Sequence, residues 1–148
     1  MSFDVSGFGS IVNIIASNTF PAGFPITQFS DDADAFDFPS VKIGDAAMGL
    51  NGDMVIWAKA VPLPGTISCI VGSESDNALQ LIAKNNLVGK GKANAKDFIT
   101  ITVVYPDDTT VTFTGGKMTD AMFGKSASNA GRFKTRVYGF LFESVIGQ

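Results

Sequence analysis

The triplet Gly124-Lys125-Ser126, inside TDAMFGKSASNAGRFKTRVYGFLFE (119–143), has the closing letters of a phosphate-binding loop. Such a loop requires a glycine five positions earlier, where the backbone must curl so that successive N–H groups point at phosphate oxygens. That position is Thr119, whose Cβ disfavours the left-handed dihedrals the curl needs. A phosphate loop must also open a helix. Here Gly131 is followed by Arg132 to Glu143, an aromatic, β-branched and alternating run that predicts a strand. The spacing therefore predicts a Gly/Ser/Asn-rich loop feeding a final strand, with no phosphate role.

A second candidate is the acidic segment SDDADAFDFPS, with Asp31, Asp32, Asp34 and Asp37. Hard cations such as calcium want several carboxylate oxygens. The calcium-loop pattern also needs a glycine at its sixth position and a distal glutamate. Counted from Asp32 the sixth position is Asp37, and no glutamate occurs between residues 31 and 73. Paired carboxylates for glycoside cleavage are a weak signal, because the chain's 14 acids offer many pairs and no cleft can be read from them. The chain has no histidine, which removes the commonest general base and metal ligand. Its single cysteine, Cys69, lies in the apolar run TISCIVG and is expected to be a buried, inert thiol. These readings predict no catalytic residue, no cofactor and no metal.

Nucleic-acid grip is disfavoured by a net charge of −3 and a pI of about 4.7, since phosphate neutralisation requires a basic face. Aromatics in the last strand could stack on bases, yet without a basic groove they read as core. The N-terminal stretch MSFDVSGFGSIVNIIASNTF has no basic region and carries Asp4, so no secretory signal is expected. The apolar region MVIWAKAVPLPGTISCIVG is broken by Lys59, Pro62 and Pro64, so no membrane-spanning helix is expected either. The sparse cysteine fits assembly in a reducing cytoplasm. Charged residues are 17% of the chain, against roughly 25% in ordinary soluble domains. Hydrophobic residues are 45% and include 13 phenylalanines, so part of the surface is expected to be covered by neighbouring molecules.

The elements that must position these residues follow a period of two. In SIVNIIAS (10–17) both sides are apolar, which predicts a strand covered on both faces. Asn51-Gly52 predicts a hairpin turn before strand MVIWAKA (54–60); PLPG then turns the chain into strand TISCIVG (66–72). SESDNALQLIAKNNLVG predicts one helix, capped by Ser73 or Ser75, with Leu79, Ile82, Ala83 and Leu87 on one face and Gly89 ending it. FITITVVYPDDTTVTFTGG predicts a hairpin turning at Pro-Asp-Asp, with Ile99, Ile101, Val103 and Tyr105 on an oily face. Thr100, Thr102, Thr110, Thr112 and Thr114 form its hydroxyl face. The expected fold is a single mainly-β domain over residues 1–148, a sandwich or barrel with one flanking helix.

Several ordered features carry a family resemblance: an early strand, FPITQFSDDADAFDFPS, GLNGDMVIWAKA, GTISCIVGSESDNALQLI and the closing NAGRFKTRVYGFLFE. In that order and spacing, over residues 8 to 143, the chain resembles the tail-tube proteins of contractile-tailed bacteriophages. The resemblance implies a β-sandwich subunit forming hexameric rings, stacked into a hollow tube inside a sheath protein and bounded by baseplate and tail-terminator proteins. It implies location in the virion and passage of genomic DNA through the lumen without sequence-specific binding. The threonine face is then the candidate lumen lining. The acidic segment and Lys90, Lys92 and Lys96 are candidate ring-stacking contacts, or two solvated loops that never meet. Other readings are a related baseplate ring or tube-terminating protein, the tube of a secretion or bacteriocin device, and, from another class, a β-barrel for a small apolar ligand.

Overall fold

The computed structural model describes residues 9–27, 29, 35–91, 96–127 and 129–147. The elements run β1 (Ile11–Ala16), β2 (Phe20–Ile26), β3 (Phe36–Asp37), β4 (Gly44–Met48), β5 (Met54–Ala58) and β6 (Leu63–Cys69). Then come α1 (Glu74–Asn86), β7 (Ile99–Val104), β8 (Thr110–Asp120), β9 (Arg136–Phe142) and β10 (Ser144–Gly147). Eight strands form one antiparallel sheet in the order β2-β1-β7-β8-β9-β6-β3, with β10 also on β8. β4 and β5 form a separate two-stranded sheet. The chain is mainly β with one helix, as the alternating pattern predicts.

β8 joins the two halves of the sheet. Its first part pairs with β7 and β10, and its last part pairs with β9. Between the two parts the register with β7 slips, Ile99 facing Gly116 and Ile101 facing Phe113, so the irregularity includes Gly115 and ends at Gly116. Gly115 holds a left-handed φ of +66°, and a Cβ on Gly116 would run into the Phe142 ring and the Ile99 carbonyl. Only glycine lets the backbones approach so closely.

Both halves turn alternate residues inward onto one core. Val12, Ile14, Ile101, Val103 and Phe113 come from the first half and Ile67, Cys69, Tyr138, Phe140 and Phe142 from the second, while Leu79 and Ile82 come from α1. Phe36, Phe38, Phe113, Phe142 and Phe140 make a line of rings whose successive centroids lie 4.6–6.0 Å apart. Much of the phenylalanine content is thus core packing, in the offset and tilted arrangements that ring quadrupoles favour.

Three expectations are corrected. β1 is covered on one face within the chain: Val12, Ile14 and Ala16 are fully buried, but Ile11 and Ile15 remain 51% and 39% exposed. Strand β6 begins at Leu63, so Pro64-Gly65 lies inside it, paired with β9. β3 covers only Thr66 and Ile67 on the other side, so a residue without an N–H is tolerated along the uncovered edge. α1 starts where predicted, with the Ser73 side chain accepting from the Asp76 amide at 3.2 Å. It ends at Asn86, however, with Leu87 extended. There the Asn86 side chain donates to the Ile82 carbonyl at 2.8 Å, satisfying a last-turn acceptor without Gly89.

Candidate assembly surface

The loop between β8 and β9 carries the Gly-Lys-Ser triplet, and its groups are already engaged. The Gly124 carbonyl accepts from Arg136 Nε and Nη2 at 3.2 and 3.0 Å. Lys125 Nζ sits 5.6 Å from the Phe133 ring centre, and the Ser126 carbonyl accepts from the Lys134 amide at 2.6 Å. The loop runs into β9, as predicted, and presents no amide cradle at the start of a helix.

Arg136 reaches inward from that loop to a polar knot that the sequence did not reveal as a unit. Its Nη1 lies 2.7 Å from Asp76 Oδ2, an ion pair with both partners buried. The Gly72 amide also donates to Asp76 Oδ2, at 3.1 Å, and the Tyr138 hydroxyl donates to Asp76 Oδ1 at 2.8 Å. Gln80 Oε1 lies 3.2 Å from the same phenol oxygen. Burial, assisted by the adjacent Asp76 carboxylate, pushes the Tyr138 phenol well above its usual range. Asp76 was expected to serve the helix N-terminus, and it does so while holding three other groups. The available signal was the alternation Arg136, Tyr138, Phe140: an arginine and a tyrosine at inward positions demand a buried partner.

Cys69 is fully buried, and burial, with Asp76 nearby, pushes its thiol up to about 12, so it is inert as expected. Among the described residues no group of three or more acidic or thiol side chains is placed to hold a metal. Asp31, Asp32, Asp34 and Lys92 lie outside the described residues. Asp37 is exposed on β3, and Lys90 and Lys96 are exposed in the connection between α1 and β7.

A second polar cluster, also unforeseen, surrounds Asp97. Its Oδ1 accepts from the amides of Asn18 and Thr19 at 2.7 and 2.9 Å, and its Oδ2 accepts from the Thr19 hydroxyl and from Asn86 Nδ2. Burial is the largest single influence and raises the Asp97 pKa, but these hydrogen bonds together outweigh it and hold the carboxyl below its ordinary range. The cluster ties the β1–β2 turn to the end of α1 and the start of β7.

Thr100, Thr102, Thr112 and Thr114 are half-buried and Thr110 exposed, on the face opposite the core. Thr102 stands opposite Thr112, and the Thr114 and Ser144 hydroxyls lie 2.7 Å apart. By register, β1 adds Ile11, Asn13 and Ile15 to this face and β10 adds Ser144 and Ile146, so it carries no charge across four neighbouring strands.

The β4–β5 hairpin is built in the opposite way to the core. Among the described strands its two pair with each other alone, and no residue of either is buried. Gly52, at φ +84°, makes the predicted Asn-Gly turn within a loop whose tip is the fully exposed Leu50. Met48, Met54, Val55, Ile56 and Trp57 all face water, Ile56 at 68% exposure. Its charges stay at the base, where Lys42 and Lys59 flank Asp45 Oδ2 at 3.1 and 3.3 Å, and in the turn at Asp53. The Ala46 amide, with these two lysines, lowers the Asp45 pKa. Contiguous exposed apolar surface of this kind marks a contact with another molecule.

No curated protein matches the sequence. Solved structures share the fold over the whole chain. The PVC sheath/tube terminator of an extracellular contractile injection system, in its extended state, aligns with a TM-score of 0.62 at 13% identity, over 100% of this chain and 99% of that one. A chain of the anti-feeding prophage baseplate, 6-fold symmetrised, aligns at 0.60 and 12% identity, covering 100% and 97%. The tube-terminating cap of the anti-feeding prophage aligns at 0.58 and 10% identity, covering 100% and 93%. The family described as tail fiber protein gp32 matches residues 3–146, nearly the entire sequence, so this chain belongs to that family and is a phage-tail-like protein.

Proposed function

We propose that this chain is a structural, non-enzymatic ring component of a contractile tail, acting where the tube ends or meets the baseplate. Whole-chain likeness to a sheath/tube terminator, a tube cap and a baseplate chain carries this reading. The uncovered apolar arm supports it, because a subunit with neighbours has a use for such surface. In this reading six copies close a ring, in the virion, with tube, sheath and baseplate proteins as partners. The uncharged threonine face, Thr100, Thr102, Thr110, Thr112 and Thr114, lines the lumen and lets genomic DNA pass without adhering. Asp31, Asp32, Asp34 and Asp37 of one ring face Lys90, Lys92 and Lys96 of the next component along the axis.

A second reading is the repeating tube subunit. The low charged fraction of 17% favours it, since a repeating subunit is covered laterally and on both axial sides. Electron microscopy of the purified chain from dilute to concentrated separates the two. Discrete rings that do not lengthen are expected; open-ended tubes would transfer the chain to the second reading, and monomers throughout would refute both.

A further inference from the structure

The strand edges of this chain are guarded unequally. β2, at one end of the main sheet, contains Pro21 and Pro25, which have no N–H to offer another strand. β3, at the other end, is two residues long and ends on the exposed Asp37. β10, by contrast, pairs with β8 alone among the described strands, and Ser144-Val145-Ile146-Gly147 is exposed throughout, with neither proline nor charge. β5 is the same kind of edge: Met54-Val55-Ile56-Trp57-Ala58, exposed, uncharged and paired on one side by β4. The other arm strand, β4, carries Asp45 in its ion cluster.

A two-stranded ribbon is marginal in water on its own, and an uncharged apolar edge invites further pairing. Within one chain the two open edges do not meet. The arm's base at Ala60–Pro62 borders the β9–β10 corner at Leu141–Glu143 across an open groove of about 410 Å³. We propose that the occupant of the arm is a second copy of this chain, with β5 of one copy adding as a strand to the free edge of β10 on the next. Donor and acceptor edges differ, so the contact is heterologous: an open row of copies keeps one free donor at one end and one free acceptor at the other until a ring closes. The inference rests on the ring reading above and names the surface that builds the ring.

Cysteine scanning tests it. Ile146→Cys is combined in turn with a cysteine at each position from 54 to 58, and the assembled protein is oxidised and run without reductant. Cys69 gives no background, being buried and inert. Strand pairing puts alternate residues on one face, so ladders of cross-linked copies are expected at alternate positions and not at those between. Ile146→Cys alone should give no ladder. If the unmodified chain forms rings but no position cross-links, or all five do so equally, the arm contact is wrong and the ring reading survives. If the unmodified chain is monomeric at every concentration, the ring reading fails and the arm contact with it.

Discussion

In the interior an arginine, an aspartate and a tyrosine sit where water is excluded; on the arm a tryptophan, methionines and branched aliphatics sit where water is everywhere. Asp76 is fully buried and satisfied by the Arg136, Tyr138 and Gly72 donors, while Gln80 Nε2 is the one buried side-chain polar atom among the described residues left without a partner. The arm's apolar groups have no buried counterpart among the described residues. The buried carboxylate's paired bonds fix one packing of helix on sheet within the chain itself. An unsatisfied apolar arm is stable in use only with something over it. The two regions separate what makes this chain fold from what, in the proposed ring, would make it assemble.

Substitutions in the two regions should therefore have opposite signatures. Asp76→Ala is expected to have the largest effect on folding, about 3–5 kcal/mol, because it leaves the Arg136 guanidinium buried without a counter-charge. Denaturant unfolding at neutral pH measures it; a loss below about 1 kcal/mol would mean the pair is not desolvated as described. Gly116→Val should approach the same size, about 2–4 kcal/mol, because the side chain would displace Phe142 from the core. Thermal unfolding compared with Gly89→Val, an open position that like Gly116 has no left-handed φ, isolates the crowding from the general cost of losing a glycine.

Asp97→Asn is expected to cost about 1–3 kcal/mol at pH 7. The folded-state pKa is depressed, so the stabilisation is full above the unfolded value of about 3.9 and is lost as pH falls through the lower folded value. The gap between wild type and variant should shrink across that acid range. A gap that stayed constant with pH would show that the ionised form is not what the Thr19 and Asn86 hydrogen bonds favour. Trp57→Ser on the arm should change folding by no more than about 0.5 kcal/mol, yet abolish or weaken ring formation. Circular dichroism and sedimentation on one sample read both quantities together.

Much of the sheet was legible because its period-two pattern has one face in water: β7 and β8 alternate buried aliphatics with threonines as written. The helix start was legible from Ser73, Glu74 and Asp76. Its end was not, because a side-chain bond from Asn86 replaced the glycine signal. The core side of β1 was legible and its outer side misleading: Ile11 and Ile15 read as buried, while this chain alone leaves them in water. MVIWA showed the same ambiguity, since apolar content predicts a strand without saying whose core it joins. Asp97 gave no local signal, as its partners lie 79, 78 and 11 residues earlier in the chain.

Cryo-electron microscopy of the purified chain tests the central claim most directly. The account predicts closed rings in which residues 54–58 of each copy lie along residues 144–147 of its neighbour, with Thr102 and Thr112 facing the central opening. Monomers at every concentration, or rings in which the arm still stands free in solvent, would contradict it.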